Sequence, residues 1–192
     1  TMTKEVEEVE FKYIKQTGGR GQYGHVIIGM GPGEPKSGIT FESKVVGGRI
    51  PKEFIPAVED GVMEAAKTGP LAGYPVVDLV VTLLDGSFHD VDSSEIAFKI
   101  AAIEAFKKGF MAGKPVLLEP IMLLDVVMPQ ETRGAITGDF LSRRGQIENV
   151  TDRGSSAVMR GYVPIAETFG YVTTIRSLSQ GRAAATMEPA RY

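Results

Sequence analysis

The stretch GGRGQYGHVI, residues 18–27, contains Gly19-Arg20-Gly21-Gln22-Tyr23-Gly24, a match to G-x-G-x-x-G, and with Val26 a match to G-x-G-x-x-G-x-V. The first pattern marks a dinucleotide site only where the glycines join a strand to a helix, because the helix N-terminus holds the pyrophosphate. Here His25-Val26-Ile27-Ile28-Gly29-Met30 follows, a β-branched apolar run that reads as a strand. A doubly wound nucleotide fold is excluded by that context. The second pattern joins two strands in protein kinases, but it needs a V-A-I-K-type lysine, H-R-D-x-x-x-x-N and D-F-G. None of these occurs, nor does G-x-x-x-x-G-K-[ST]. Two roles remain for the glycines. They can build a hairpin turn with positive backbone angles, or let backbone amides approach a phosphate chain with Arg20 as a charge clamp. The local sequence by itself favours the turn.

Working outward, residues 9–15 alternate apolar and polar as a half-buried strand does. Strands are also expected at 22–30, 39–46 and 76–84. Between the last two, Pro51 suits the first residue of a helix, and Phe54, Val58, Val62 and Ala65 recur at helical spacing. Asp92-Ser93-Ser94-Glu95 reads as a capping box, with Asp92 as N-cap and Glu95 at N3. Behind it Ile96, Ile100, Ile103, Phe106 and Phe110 form one stripe. Glu119-Pro120 interrupts a long apolar segment and places a domain boundary there, giving domains 1–119 and 120–192. The second domain reads as strand 121–128, helix 131–144, strands 146–151 and 155–163, helix 165–178 and strand 182–188. That βαββαβ order predicts an α+β ferredoxin-like domain.

The chain has 192 residues and a net charge of −3. Residues 1–119 hold 13 basic and 17 acidic side chains, whereas residues 120–192 hold 8 and 7, all eight being arginines. A broadly basic nucleic-acid coat is excluded, so RNA contacts must come from local patches. Arginine suits planar, bidentate phosphate contacts. The absence of cysteine excludes disulfides and thiolate metal sites and favours a reducing compartment. No run of about 18 apolar residues predicts a membrane span.

Phe88-His89-Asp90-Val91-Asp92 is the second constellation. His-Asp-x-Asp suggests a metal site, but there are only two histidines, His25 and His89, and Asp92 is expected to cap a helix. A loop histidine beside an exposed aromatic can stack on a base or bond a phosphate. A solvated loop histidine is the simpler reading from these residues alone. No Ser-His-Asp arrangement or carboxylate pair stands out.

Seven blocks then occur in order: KQTGGRGQYGHVII, IPKEFIPAVEDG, GPLAGYPVVDL, GSFHDVDSSEIAFKIAA, KPVLLEPIM, GDFLSRRGQI and FGYVTTIRSLSQGRAAATME. Together they resemble the C-terminal part of translation elongation factor G, over residues 4–192. The resemblance implies the fourth and fifth domains of that factor: a ribosomal-protein-S5-like domain with a left-handed βαβ crossover, then the ferredoxin-like domain. It implies a tip of two loops that enters the small-subunit decoding site and contacts the tRNA–mRNA duplex during translocation. Gln16, Thr17, Gly18, Gly19, Arg20 and Gly21 match one loop; Ser87, Phe88, His89, Asp90, Val91 and Asp92 match the other. On this resemblance the glycines turn from turn-builders into close-approach residues for RNA. The second domain is implied to dock near the large-subunit stalk base and sarcin–ricin RNA, with Arg143, Arg144, Arg176 and Arg182 as candidate phosphate contacts.

The resemblance further implies that GTP and Mg²⁺ belong to a GTPase domain outside this sequence, that a C-terminal helix lies beyond it, and that the segment itself is neither an enzyme nor a cofactor binder. A cytoplasmic, monomeric, non-membrane segment is expected. Phe88 stands where the family commonly has tyrosine. The same region of a ribosome-recycling paralogue remains open, as does a small enzyme using His89 and Asp90; a tetracycline-protection relative fits the SFHDVDSSE tip less well.

Overall fold

The computed structural model describes residues Thr1–Tyr192, and the chain divides into two compact units, Thr1–Leu117 and Leu118–Tyr192. The division falls two residues before the expected break. Glu119 goes with the second unit, where its carboxylate meets Arg144.

The first unit comprises β1 (Val6–Lys15), β2 (Gln22–Pro32), β3 (Ile39–Ser43), α1 (Ile55–Lys67), β4 (Leu79–Ser87) and α2 (Glu95–Ala112). The sheet order is β1-β2-β4-β3, with β3 and β4 parallel and the other neighbours antiparallel. Parallel neighbours need a crossover, and α1 supplies it. Strand alternation puts Val9, Val26, Ile28, Met30, Leu79, Val81 and Leu83 into one core with the two helices.

Several expected details shift. Strand β4 begins and ends three residues later than the apolar run suggested, and β3 stops at Ser43. Pro51 caps a short 3-10 turn, Lys52–Phe54, and α1 starts at Ile55 with Pro56 in its first turn, where an amide would lack a partner anyway. Of the expected stripe on α2, Phe106 and Phe110 are buried and Ile100 and Ile103 half-buried, but Ile96 is 65% exposed, and Ala97, Phe98, Ala101, Ala102 and Ala105 complete the buried face. Apolar residues run nearly round this helix, so periodicity does not select a face. Small residues do, because close packing needs them. A Cβ on Gly61 of α1 would lie 2.6 Å from the Lys99 carbonyl of α2.

The second unit comprises β5 (Ile121–Pro129), α3 (Arg133–Ser142), β6 (Gln146–Arg153), β7 (Ser156–Pro164), α4 (Tyr171–Ser179) and β8 (Ala184–Arg191). This is the βαββαβ order, with an antiparallel sheet β6-β7-β5-β8. The mixed α+β class holds for both units. Each expected helix here is shorter, because a 3-10 turn (Gln130–Thr132, Ile165–Glu167) precedes it and Gly170 in the left-handed region separates the second turn from α4. The core is built on Leu124, Val126, Met128, Ile136, Phe140, Met159, Tyr171 and Ile175.

Candidate nucleic-acid interface

Residues 16–21 connect β1 to β2, and residues 87–92 run from the last residue of β4 towards α2. The fold therefore brings the two expected loops together. Arg20 donates from Nε and Nη2 to the Val91 carbonyl, at 3.1 and 2.9 Å, joining one loop to the other. The Tyr23 amide donates to the Asp92 carbonyl at 2.9 Å. Ser93 Oγ donates to the Tyr23 carbonyl at 3.0 Å and accepts from the His89 amide at 2.8 Å. Phe88 and Val91 stay exposed, at 42% and 59%, and Gln16, Thr17, Gly18, Gly19, Arg20, His89 and Asp90 are exposed as well.

His89 is held by its own loop. Its Nδ1 lies 3.3 Å from the amides of Val91 and Asp92. Two amide donors aimed at one ring nitrogen assign the lone pair to Nδ1 and the proton to Nε2. The Asp92 carboxylate is 3.7 Å from the same Nδ1, too long for a hydrogen bond, so the amides decide the tautomer. Asp92 is not the helix cap. Ser94 is, with its Oγ accepting from the Ala97 amide at 3.1 Å. Asp92 and Ser93 are drawn out of the helix by their pairing with Tyr23.

The glycines of the opening stretch divide by purpose. Gly18 has φ +42°, a turn requirement. A Cβ on Gly21 would sit 3.0 Å from the Asp92 carboxylate, and one on Gly24 would fall against the Ala97 carbonyl. Those two serve contacts within the protein. Gly19 meets nothing nearer than 3.8 Å and leaves bare backbone at the surface.

Beneath the loops lies a polar chain that the sequence reading missed. His25, 7% exposed, bonds Glu10 Oε1 through Nε2 at 2.6 Å and Ser87 Oγ through Nδ1 at 2.7 Å. Tyr23 Oη is 2.7 Å from the same Ser87 Oγ. His25 and Ser87 are direct partners in the β2–β4 ladder, and Tyr23 lies two residues along the same strand face. Only the strand pairing reveals this, not spacing along the chain. The set resembles a nucleophilic Ser-His-acid triad. Tyr23 Oη, however, already occupies one side of the Ser87 hydroxyl, which leaves it a structural donor and acceptor. His89 and Asp90 form no pair, and no group of three or more His, Asp or Glu side chains is placed to hold a metal ion. At the foot of the tip, the Asp85 carboxyl is held below its ordinary value by the Gly86 amide and then by Arg49.

The second unit's four candidate arginines behave differently. Arg143 donates to Asp139 Oδ2 (2.9 Å), the Glu167 carbonyl (2.8 Å) and Thr174 Oγ1 (3.1 Å), and lies 5.0 Å over the Tyr171 ring. Arg144 takes Glu119 in a two-pronged pair at 3.0 and 2.8 Å and Glu167 at 3.2 Å; these carboxylates raise its pKa further. Arg182 bonds Glu131 and the Ser179 carbonyl. Arg176 is exposed on α4 and makes no ion pair or side-chain hydrogen bond within the chain.

Family comparison decides what this two-unit arrangement is. Residues 1–114 match the model for elongation factor G, domain IV, and residues 116–192 match that for the elongation factor G C-terminus. The chain belongs to the elongation factor G family. It is also similar to a crystal structure from Thermus thermophilus, with 43% identity and a TM-score of 0.85 over 99% of the present chain. The chain spans 28% of that structure's length. In elongation factor G terms, the first unit is domain IV and the second the C-terminal domain.

Proposed function

We propose that this segment is the ribosome-binding arm of a cytoplasmic elongation factor G that promotes tRNA–mRNA translocation. Its domain IV tip enters the small-subunit decoding site, and its C-terminal domain approaches the stalk base and sarcin–ricin RNA of the large subunit. The observation that carries this reading is the clamped tip. Arg20 and Tyr23 lock two loops into one unit that holds His89 in a single tautomer and leaves Phe88, Gly19 and the His89 Nε2–H facing outward. An Nε2–H and a guanidinium are donors for phosphate or ribose oxygens, and Phe88 offers a stacking face. Contacts to backbone carry no base information, which suits a factor acting on every codon. The segment supplies position rather than chemistry, and GTP with its Mg²⁺ would be handled by the parent's GTPase domain.

The test uses full-length elongation factor G carrying this segment with His89→Ala, timed by rapid mixing for translocation and GTP hydrolysis together. Slowed translocation per GTP hydrolysed supports the reading. Unchanged translocation removes His89 from it and favours subunit splitting as the parent's task.

A further inference from the structure

The loop bearing His89 is tied at both ends to one residue. Tyr23 bonds its start through Oη to Ser87, and its end through the peptide, with the amide on Asp92 and the carbonyl under Ser93 Oγ. Ser87 is the last residue of β4, the point where ladder order gives way to loop. Behind it, His25 holds the other side of the Ser87 hydroxyl and is itself held by Glu10. A serine hydroxyl has one proton and two lone pairs. One arrangement gives every proton in the chain a partner: Tyr23 Oη–H to Ser87 Oγ, Ser87 Oγ–H to His25 Nδ1, and His25 Nε2–H to Glu10.

We infer that Tyr23 and His25 are the positioning residues of the tip, fixing through Ser87 the start of the loop that presents His89; the inference rests on the tip reading above. A binding loop works when its supporting groups lock it. Here the lock is polar and His25 at its centre is buried, so neither ring nitrogen of His25 can lose its partner without cost. Tyr23→Phe removes only the hydroxyl and keeps both peptide bonds, releasing the start of the loop alone. His25→Leu removes the support of Ser87. His25→Gln keeps an acceptor and a donor at the spacing of the two ring nitrogens and preserves it.

The test has two readouts. In full-length elongation factor G carrying this segment, the ratio of translocation rate to GTP hydrolysis rate is measured for each variant, beside His89→Ala. Misplacing a contacting group is costly, so Tyr23→Phe and His25→Leu are expected to lower the ratio about tenfold, and the two together no more than either alone. His25→Gln changes it less than about threefold, since its bonds persist. In the 192-residue chain, imidazole ¹⁵N spectra report the His89 tautomer; Tyr23→Phe and His25→Leu are expected to average its Nδ1-acceptor signature, and His25→Gln to keep it. Unchanged ratios in Tyr23→Phe and His25→Leu beside a lowered ratio in His89→Ala overturn the positioning role. If His89→Ala also leaves the ratio intact, the tip reading fails, and the spectra then judge positioning by themselves: an unmoved His89 signature overturns it. Tyr23→Phe, which keeps the ring, carries both readouts if His25→Leu does not fold.

Discussion

Arginines anchor both units, but their partners differ in charge. Arg20 in the tip bonds a backbone carbonyl, which is neutral, so its positive charge is not cancelled there. Arg143, Arg144 and Arg182 bond carboxylates: Asp139, the pair Glu119 and Glu167, and Glu131. Each of those charges is cancelled where it sits. Exposure alone does not sort the candidates, since Arg144 and Arg182 are themselves exposed. The partner does. By that criterion Arg20 stays a candidate in the tip, and Arg176 stays one in the C-terminal domain.

The largest expected effect tests the rigid base of the tip. Gly24→Ala would press a methyl into the Ala97 backbone, which cannot swing aside as a side chain can. Overpacking of this kind costs about 3 kcal/mol, and urea denaturation of the chain should report it. Gly19→Ala, in open space, should stay within about 0.5 kcal/mol. Comparable losses at both positions would mean that the outer rim is as tightly built as the base.

Next comes Arg143. One hydrogen bond, to Thr174, and the contact with the Tyr171 ring tie the end of α3 to α4, while the other two bonds go to Asp139 within α3 and to the Glu167 carbonyl in the turn before α4. Arg143→Ala should cost the C-terminal domain about 2 kcal/mol in urea denaturation, and a variant as stable as wild type would return Arg143 to the RNA candidates.

The same corner has a pH signature. Tyr171 is buried, its hydroxyl has no partner, and burial pushes its pKa up to about 12. The unfolded chain releases this proton near the ordinary value of about 10. Between those values the unfolded state binds fewer protons than the folded one, so stability falls as pH rises, by at most about 3 kcal/mol. In Tyr171→Phe that slope should vanish, with stability at neutral pH equal or slightly higher because an unpaired buried hydroxyl is gone. The smallest effect on stability belongs to Arg176→Ala, within about 0.5 kcal/mol. Its signature is instead a salt dependence of ribosome binding that is shallower by about one phosphate contact.

Much of this architecture can be read from the chain itself. The βαββαβ order follows from alternating and helical periodicities that hydrophobic burial enforces, and Val58, Val62 and Ala65 are buried as their spacing predicts. The helix start at residue 92 misled because Asp92-Ser93-Ser94 offers three capping side chains in succession, and only long-range pairing with Tyr23 removes the first two. Helix α2 misled because it is apolar nearly all round. The tip loops are legible as resemblance, yet their supports are not. Glu10, His25 and Ser87 are far apart in sequence and meet only after β1, β2 and β4 pair. The arginine partners were hidden for the same reason: Arg144 and Glu119 are 25 residues apart.

The most direct test of the central claim uses the absence of cysteine from the segment. Asp90→Cys gives it a single thiol, placed on the tip beside His89. A tethered iron chelate there, in full-length elongation factor G whose remaining domains are also cysteine-free, would generate hydroxyl radicals on the ribosome. The account predicts cleavage confined to small-subunit RNA around the decoding site. Cleavage of large-subunit RNA alone, or of none, would contradict it.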